Sequence, residues 1–400
     1  MTITELDNWA EDFEDFHARF GHLFARSETR EQSKKYIRGL MATIERKNSW
    51  NIAEAVGDKI PDPTQRLLYR ARWDDADAGD LLQDFIIEKF GDEEGIGVVD
   101  ETGFIKKGDK SAGVQRQYSG TAGKTENCQI GTFLSYTSGD VHLFLDRRLY
   151  LPESWCKDQQ RRTQAKIPDD VEFKTKPEQA IEMLEHAFMK GVPMKWVTGD
   201  EVYGDSTHLR DTVIEHTGFY VLAVRCDELV WITRPGVEAP KKGSRGRPQK
   251  KPRLAAGSTP SQDVISVISE MSQDKWERFA VIEGTKSPYT YDWFAIRVVE
   301  NRSGLPGPDS WLLARRSIDS GDISYYLSNA PADTPLTTLA RIASTRYTVE
   351  QCIEEAKGEA GLDEYEVRHW HSWHRHITLS MMAHTWLASI RYQAGKKGGY

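Results

Sequence analysis

The N-terminal quarter of the chain has the hydrophobic spacing of helices. Between residues 33 and 47, apolar side chains recur at intervals of three and four, as on one helix face: Tyr36, Ile37, Leu40, Met41 and Ile44. Lys34, Lys35 and Arg38 fall on the other side of that helix. These bases form either a solvated helix face or a surface that contacts phosphates, and the spacing leaves both interpretations open.

Strand-like patterns follow this helical quarter. A short apolar run predicts a first strand that ends at Asp100, and residues 127–152 predict two strands joined by a turn. Residues 176–191 predict a helix, the next strand ends at Asp200, and an apolar strand follows at 219–227. This order of strand, hairpin, helix, strand, helix and strand predicts a mixed α/β domain that begins as a ribonuclease-H-like fold does.

The second half of the chain interrupts this order and then returns to helices. Residues 228–333 contain short β-like runs, and helical spacing resumes after them. The predicted fold class is therefore α/β, with a ribonuclease-H-like mixed sheet and flanking helices, a β-rich insertion and a helical N-terminal domain. The predicted boundaries are 1–94 for the helical region, 95–227 with 334–392 for the sheet domain, 228–333 for the insertion and 393–400 for a flexible tail.

Composition indicates the cellular compartment in which the protein is expected. The four cysteines are scattered without a CxxC pair, which argues against a disulfide framework or a zinc knuckle. The first residues lack a signal peptide, and no stretch approaches the ~20 apolar residues that span a bilayer. We therefore expect a cytoplasmic protein with no membrane partner. The net charge is −8, yet residues 241–253 carry seven bases and no acid.

Three acids stand out by their predicted positions. Asp100 and Asp200 are expected at strand ends, and Glu350 on a helix after the insertion. In a ribonuclease-H-like arrangement such residues meet, and carboxylates that close together repel one another unless a cation lies between them. Oxygen ligands favour Mg²⁺ or Mn²⁺, and two such ions can activate a nucleophile and stabilise the leaving oxygen of a phosphodiester. With 61 acids in the chain, however, many such triples exist, so position alone is weak support.

The neighbours of Glu350 sharpen this hypothesis. Glu354 and Lys357 share its helix face, and Arg346 lies one turn earlier. Arg346 and Lys357 are candidates for holding a DNA phosphate. Glu354 competes with Glu350 for the metal, although a plain salt bridge between Glu354 and Lys357 explains their spacing at least as well.

Three blocks of sequence resemble a known family. VVDETGFIKKGDKSAGVQRQYSGTAGKTENCQIG, around Asp100, resembles the first-aspartate region of bacterial insertion-sequence transposases of the DDE type. VTGDEVYGD resembles their second-aspartate motif, and TRYTVEQCIEEAKGEAGLDEYEVRHWHSWHRHITL their third block. The third block has the pattern R-x-x-x-E-x-x-x-x-x-x-K at Arg346, Glu350 and Lys357. The family often has a tyrosine three residues before that arginine, where this chain has Ala343. The resemblance extends over about residues 30–392.

The resemblance implies a reaction and its partners. It implies a transposase that cleaves transposon ends and joins the freed 3′-OH to target DNA, with two Mg²⁺ or Mn²⁺ ions held by Asp100, Asp200 and Glu350. Its partners would be double-stranded terminal inverted repeats and target DNA, bound by a homodimer in the bacterial nucleoid. The alternatives are a metal-dependent nuclease without strand transfer, a non-catalytic DNA-binding protein derived from a transposase, and a purely structural α/β protein.

Further bases are candidates for DNA contacts. Within the basic tract 241–253, Arg245 and Arg247 flank a glycine before a proline, as in an AT-hook that enters a narrow minor groove, whereas a solvated loop is the simpler alternative. Lys106 and Lys107 follow the first strand and are candidate phosphate contacts, as are Lys34, Lys35 and Arg38 in the N-terminal DNA-binding region. A histidine cluster at 369–376 does not share one helix face, so we expect packing or contacts with the DNA backbone there rather than a metal.

Overall fold

The computed structural model of the protein divides into two compact units. The first unit comprises Met1–Met194 and Thr348–Tyr400, and the second comprises Lys195–Tyr347. The described residues are 3–239, 251–281 and 289–398.

The helices of the described residues are numbered along the chain. They are α1 (Ile3–Ala18), α2 (Ser27–Met41), α3 (Ser49–Ala55), α4 (Asp62–Tyr69), α5 (Asp75–Phe90), α6 (Glu153–Lys157), α7 (Gln159–Ala165), α8 (Lys176–Met189), α9 (Glu201–Gly204), α10 (Thr207–Glu215), α11 (Val264–Ser269), α12 (Leu336–Thr345), α13 (Tyr347–Ala360) and α14 (Trp370–Gly398).

The strands are numbered in the same way. They are β1 (Gly95–Ile105), β2 (Gln115–Ser119), β3 (Lys124–Ser138), β4 (Val141–Leu149), β5 (Met194–Gly199), β6 (Phe219–Val224), β7 (Leu229–Trp231), β8 (Val237–Glu238), β9 (Arg253–Leu254), β10 (Gln262–Asp263), β11 (Glu277–Val281), β12 (Tyr289–Arg302), β13 (Leu305–Ser317) and β14 (Ile323–Ser328).

The long strand β3 organises the first unit. It pairs antiparallel with β1, β2 and β4. Helix α8 covers one face of this sheet, where Thr132 donates to Gln179 across 2.9 Å. Helices α13 and α14 cover the other face, where Thr348 and Thr137 share a hydrogen bond of 2.9 Å. Residues 128–137 of β3 are buried between these helices, which is the layered arrangement of an α/β domain.

The N-terminal helices belong to the core of the first unit. Tyr36 on α2 bonds His376 on α14 at 2.8 Å, and both side chains are buried. Phe16 on α1 packs against Phe85 on α5 and against Trp386 on α14, with ring centroids 4.8 Å and 5.6 Å apart. The helical region predicted for residues 1–94 is thus held to the last helix of the chain.

The second unit contains a mixed sheet. β5 and β6 run parallel, and β6 continues antiparallel into β14, β13, β12 and β7. Its interior holds an ion pair of 3.2 Å between Arg210 and Glu300, both almost fully buried. Glu300 also accepts from Ser310 at 2.6 Å, so the charge is hydrogen-bonded as buried charges must be.

These elements confirm the predicted fold class, a ribonuclease-H-like mixed sheet with flanking helices and a β-rich stretch before the last helices. One detail of the prediction is wrong, because Asp100 lies in the middle of β1 rather than at its end. β3 is long enough to supply partners as far as Ile105, so β1 continues past the acid. At the C-terminus, α14 extends to Gly398 and thus includes residues 393–398 of the expected tail.

Candidate functional site

Asp100 lies on the face of β1 that α13 and α14 cover. It is opposite Phe133 on β3, two residues from Thr102, and its side chain is half-buried. Alternate residues of a strand share a face, so Asp100 and Thr102 point to the side on which α13 and α14 pack. Asp100 Oδ1 accepts the backbone N–H of Glu101 at 2.7 Å.

Glu101 points to the opposite face, as the strand period predicts. Its carboxylate forms an ion pair with Lys176, at the start of α8. The two neighbouring acids therefore lie on different sides of the sheet.

Helix α13 is fixed over β1 and β3 at two points. Near its start Thr348 bonds Thr137, and near its end Lys357 Nζ donates to Thr102 Oγ1 at 2.8 Å and to Thr121 Oγ1 at 3.4 Å. Glu350 lies between these two anchors, in the first turn of the helix, and is exposed. The structure thus places Asp100 and Glu350 in one unit, on elements that pack together.

Lys357 is a half-buried base rather than the partner of a helix salt bridge. Burial lowers the pKa of its ammonium group. In the described part of the chain no ion pair joins it to Glu354, which is exposed. Its two threonine acceptors hold the ammonium beside the strand that carries Asp100.

Asp200 belongs to the second unit and directly follows β5. It is the N-cap of α9, and its Oδ1 accepts the N–H of Val202 at 2.9 Å. Gly204, at the other end of this single turn, lies so close to β6 that a Cβ atom would be 1.7 Å from the carbonyl oxygen of Ala223. The turn is therefore held tightly at the carboxyl end of a parallel strand, which is a common position for functional residues.

The three carboxylates fit a hard divalent cation by their donor chemistry, since carboxylate oxygens are the ligands that Mg²⁺ and Mn²⁺ prefer. Over residues 3–239, 251–281 and 289–398, no group of three or more His, Cys, Asp or Glu side chains has the geometry of a metal site.

Arg346 precedes α13 by one residue and belongs to the second unit. Its guanidinium lies 4.6 Å from the ring centroid of Tyr347. Arg315, on β13, lies 5.4 Å from the same ring and donates to the Tyr347 hydroxyl at 2.9 Å. Two cations therefore share one aromatic ring just before Glu350, and nothing in the sequence pattern marked Arg315.

The two candidate lysines after β1 differ in their surroundings. Lys106 Nζ donates to the carbonyl of Tyr365 at 3.1 Å and lies 3.4 Å from the centroid of that ring. Burial lowers its pKa to about 8. Lys107 is exposed.

The bases predicted on α2 are all ion-paired. Lys34 and Arg38 both reach Glu14, at 3.0 Å and 2.7 Å, and Lys35 reaches Asp58 at 2.6 Å. Arg245 and Arg247 lie outside the described residues.

The histidines between 369 and 376 pack within the protein, which is one of the two roles expected for them. His376 is buried and bonds Tyr36 as well as the carbonyl of Gly361 at 3.1 Å. His371 and His374 bond the carbonyls of Tyr69 and Trp370. Burial lowers the pKa of His376 to about 3, so it is neutral in the fold.

Comparison with known proteins identifies the family. Residues 16–288 match the family model described as DDE superfamily endonuclease. The chain belongs to this family. The match includes Asp100 and Asp200 and ends before Glu350.

A curated relative extends the similarity. Over 338 residues the chain is 24% identical to a protein of Microchaete diplosiphon named as the probable transposase for insertion sequence element IS701. The aligned part covers 84% of this chain and 77% of the relative. The resemblance to insertion-sequence DDE transposases is thereby confirmed. No helix among the described residues is long and apolar enough to cross a membrane.

Proposed function

We propose that this DDE superfamily endonuclease is a DNA transposase that cleaves transposon ends and joins the freed 3′-OH to target DNA. The family match over Asp100 and Asp200 carries this proposal. The similarity to a probable transposase over most of both chains supports strand transfer in addition to cleavage.

Asp100, Asp200 and Glu350 are the proposed metal-ligating carboxylates, for Mg²⁺ or Mn²⁺. Two such ions, when bound, supply the charge that activates a nucleophile and stabilises the leaving oxygen. Lys357, fixed by Thr102 and Thr121, keeps a positive charge beside β1 that suits a DNA phosphate. Arg346, stacked on Tyr347, offers a second charge of the same kind.

DNA is the proposed macromolecular partner, as terminal repeats and as target. Lys106, Lys107, Lys34, Lys35, Arg38, Arg245 and Arg247 remain proposed DNA contacts. Cutting and joining two ends requires two active sites, so we propose a homodimer on DNA. A complex with two chains and two ends, measured by sedimentation, is expected, and one chain that joins both ends would contradict it.

The choice between Glu350 and Glu354 gives a direct test. Both glutamates are exposed on α13, so Glu350→Ala and Glu354→Ala make the same change four residues apart. We expect Glu350→Ala to lower Mg²⁺-dependent cleavage of the element's terminal DNA by more than about a hundredfold, because even residues that only orient a metal ligand cost 10- to 100-fold. Glu354→Ala is expected to retain cleavage.

Two outcomes would change the proposal. Loss of cleavage in Glu354→Ala alone would identify Glu354, one helical turn after Glu350, as the third metal ligand. Equal cleavage by wild type and both variants, with Mg²⁺ required, would remove α13 from the metal site. Binding of the same DNA, measured in parallel, shows that each variant is folded and still engages its substrate.

A further inference from the structure

Helices α2 and α4 of the first unit enclose a cleft of about 750 Å³. Four arginines and one glutamate are its charged lining residues: Arg26, Arg66, Arg70, Arg72 and Glu28. Four positive charges and one negative charge leave a formal charge of +3. All four arginines are exposed, so their charges face solvent in and around the cleft.

The arginines of this cleft are poorly neutralised by the protein. Arg66 has a distant pairing with Asp62, at 3.9 Å between exposed side chains. Arg26, Arg70 and Arg72 have no ion pair within the described residues. Exposed like charges in one concavity repel one another and concentrate anions from solution.

The start of α2 adds to the same potential. Arg26 is the N-cap of this 15-residue helix, and its side chain makes no capping hydrogen bond. The first backbone N–H groups of a helix carry partial positive charge and bind phosphates well. This end of the helix lines the cleft through Arg26, Glu28 and Thr29.

The bases further along α2, unlike most of those of the cleft, are paired with carboxylates. Lys34, Lys35 and Arg38 are ion-paired with Glu14 and Asp58, so their charges are partly neutralised within the protein. The arginine cleft therefore carries most of the unneutralised positive charge that α2 and α4 present.

We infer that the arginine cleft binds the phosphate backbone of double-stranded DNA. The inference rests on the proposed function, which makes DNA the substrate. On this inference, the N-terminal region contacts the DNA phosphates at the start of α2 and the end of α4.

The test is duplex binding as a function of salt, in EDTA so that no cleavage occurs. Each neutralised phosphate contributes about 0.9 to the slope of log affinity against log salt. For Arg66→Gln with Arg70→Gln, we expect roughly tenfold weaker binding of a labelled random-sequence duplex and a slope smaller by about 2. Arg66→Lys with Arg70→Lys is expected to keep the slope.

The matched control removes two bases that form ion pairs with carboxylates. Arg19 forms two hydrogen bonds with Glu88, and Lys157 pairs with Glu153 at 2.6 Å. Arg19→Gln with Lys157→Gln changes the net charge by the same amount and is expected to leave the slope unchanged. Circular dichroism compares the folding of all variants.

The inference is overturned if the folded Arg66/Arg70 glutamine variant keeps the wild-type slope, or if the control loses as much. A loss seen with single-stranded RNA and not with the duplex would also overturn it. Failure of the proposed function looks different, because wild-type protein would then show no metal-dependent cleavage while the arginine variants still bound duplex more weakly.

Discussion

Among single residues, Lys106 has a pKa that burial lowers to near neutral pH, so its charge depends on pH in the range where DNA binding can be measured. Its ammonium lies against the face of Tyr365 and donates to that residue's carbonyl. Because water is largely excluded there, the pKa falls to about 8, well below that of an exposed lysine. Lys106 is therefore charged at neutral pH and becomes neutral in mildly alkaline solution.

A pH prediction follows for DNA binding. If Lys106 contacts a phosphate, affinity for duplex falls as pH rises from about 7 to about 9, since the positive charge is present below the pKa and lost above it. Lys106→Met should bind more weakly at neutral pH and lack this fall. Lys106→Arg keeps its charge throughout and should bind with little pH dependence.

The measurement is fluorescence anisotropy at constant ionic strength across that pH range. An equally steep fall in wild type and Lys106→Met would show that another group titrates and that Lys106 does not contact the duplex.

The sequence was informative where a residue's surroundings follow from local periodicity. The two-residue period of a strand places Glu101 on the face opposite Asp100, and the ion pair of Glu101 with Lys176 agrees. It was uninformative where a partner is distant along the chain. The hydrogen bonds of Lys34 and Arg38 to Glu14 span 20 and 24 positions, and no spacing rule reveals them.

At the scale of elements, the turn α9 depends on a glycine. The backbone at Gly204 approaches β6 so closely that any side chain would overlap the carbonyl of Ala223. The neighbour is backbone in a sheet and cannot move aside as a flexible side chain does. Asp200, at the start of the same turn, is oriented by this contact and by its bond to Val202.

Gly204→Ala should therefore be strongly destabilising. We expect a loss of at least about 2 kcal/mol in the free energy of unfolding, since overpacking costs ~1–3 kcal/mol even where side chains can adjust. The control is Gly358→Ala in α13, where a Cβ meets no atom within 4 Å. That change should stabilise the helix by up to ~1 kcal/mol.

Urea denaturation followed by circular dichroism measures both variants. Equal stability of wild type and Gly204→Ala would contradict the close packing of α9 on β6. A loss in Gly358→Ala would show that its helix position is less open than the structure indicates.

Element boundaries were predictable where turns and caps mark them and unpredictable where pairing decides. Gly139, with φ +55°, marks the turn between β3 and β4, and the sequence predicted a turn between two strands within residues 127–152. The end of β1 was predicted at Asp100, yet the strand continues because β3 offers partners to the next five residues. Such an extension depends on a partner strand more than twenty residues away.

At the scale of the whole molecule, the elements that carry the proposed carboxylates are distributed over both compact units. Asp100 and Glu350 belong to the first unit and Asp200 to the second. The chain leaves the first unit after Met194 and returns to it at Thr348. Asp200 and the β-rich stretch lie in the segment between these two points of the sequence. The sequence predicted this return to helices after the insertion, because the hydrophobic period changes from two to 3.6.

Strand transfer from a pre-cut transposon end shows whether Asp100, Asp200 and Glu350 carry out the proposed reaction. Wild-type protein with Mg²⁺ is expected to join a 3′-OH end to target DNA and to leave a 3′-dideoxy end unjoined. Asp100→Ala, Asp200→Ala and Glu350→Ala should each bind the end and form no joined product. Joining by any of these three variants at the wild-type rate, or cleavage by wild type that never yields joined product, would contradict the proposed transposase mechanism.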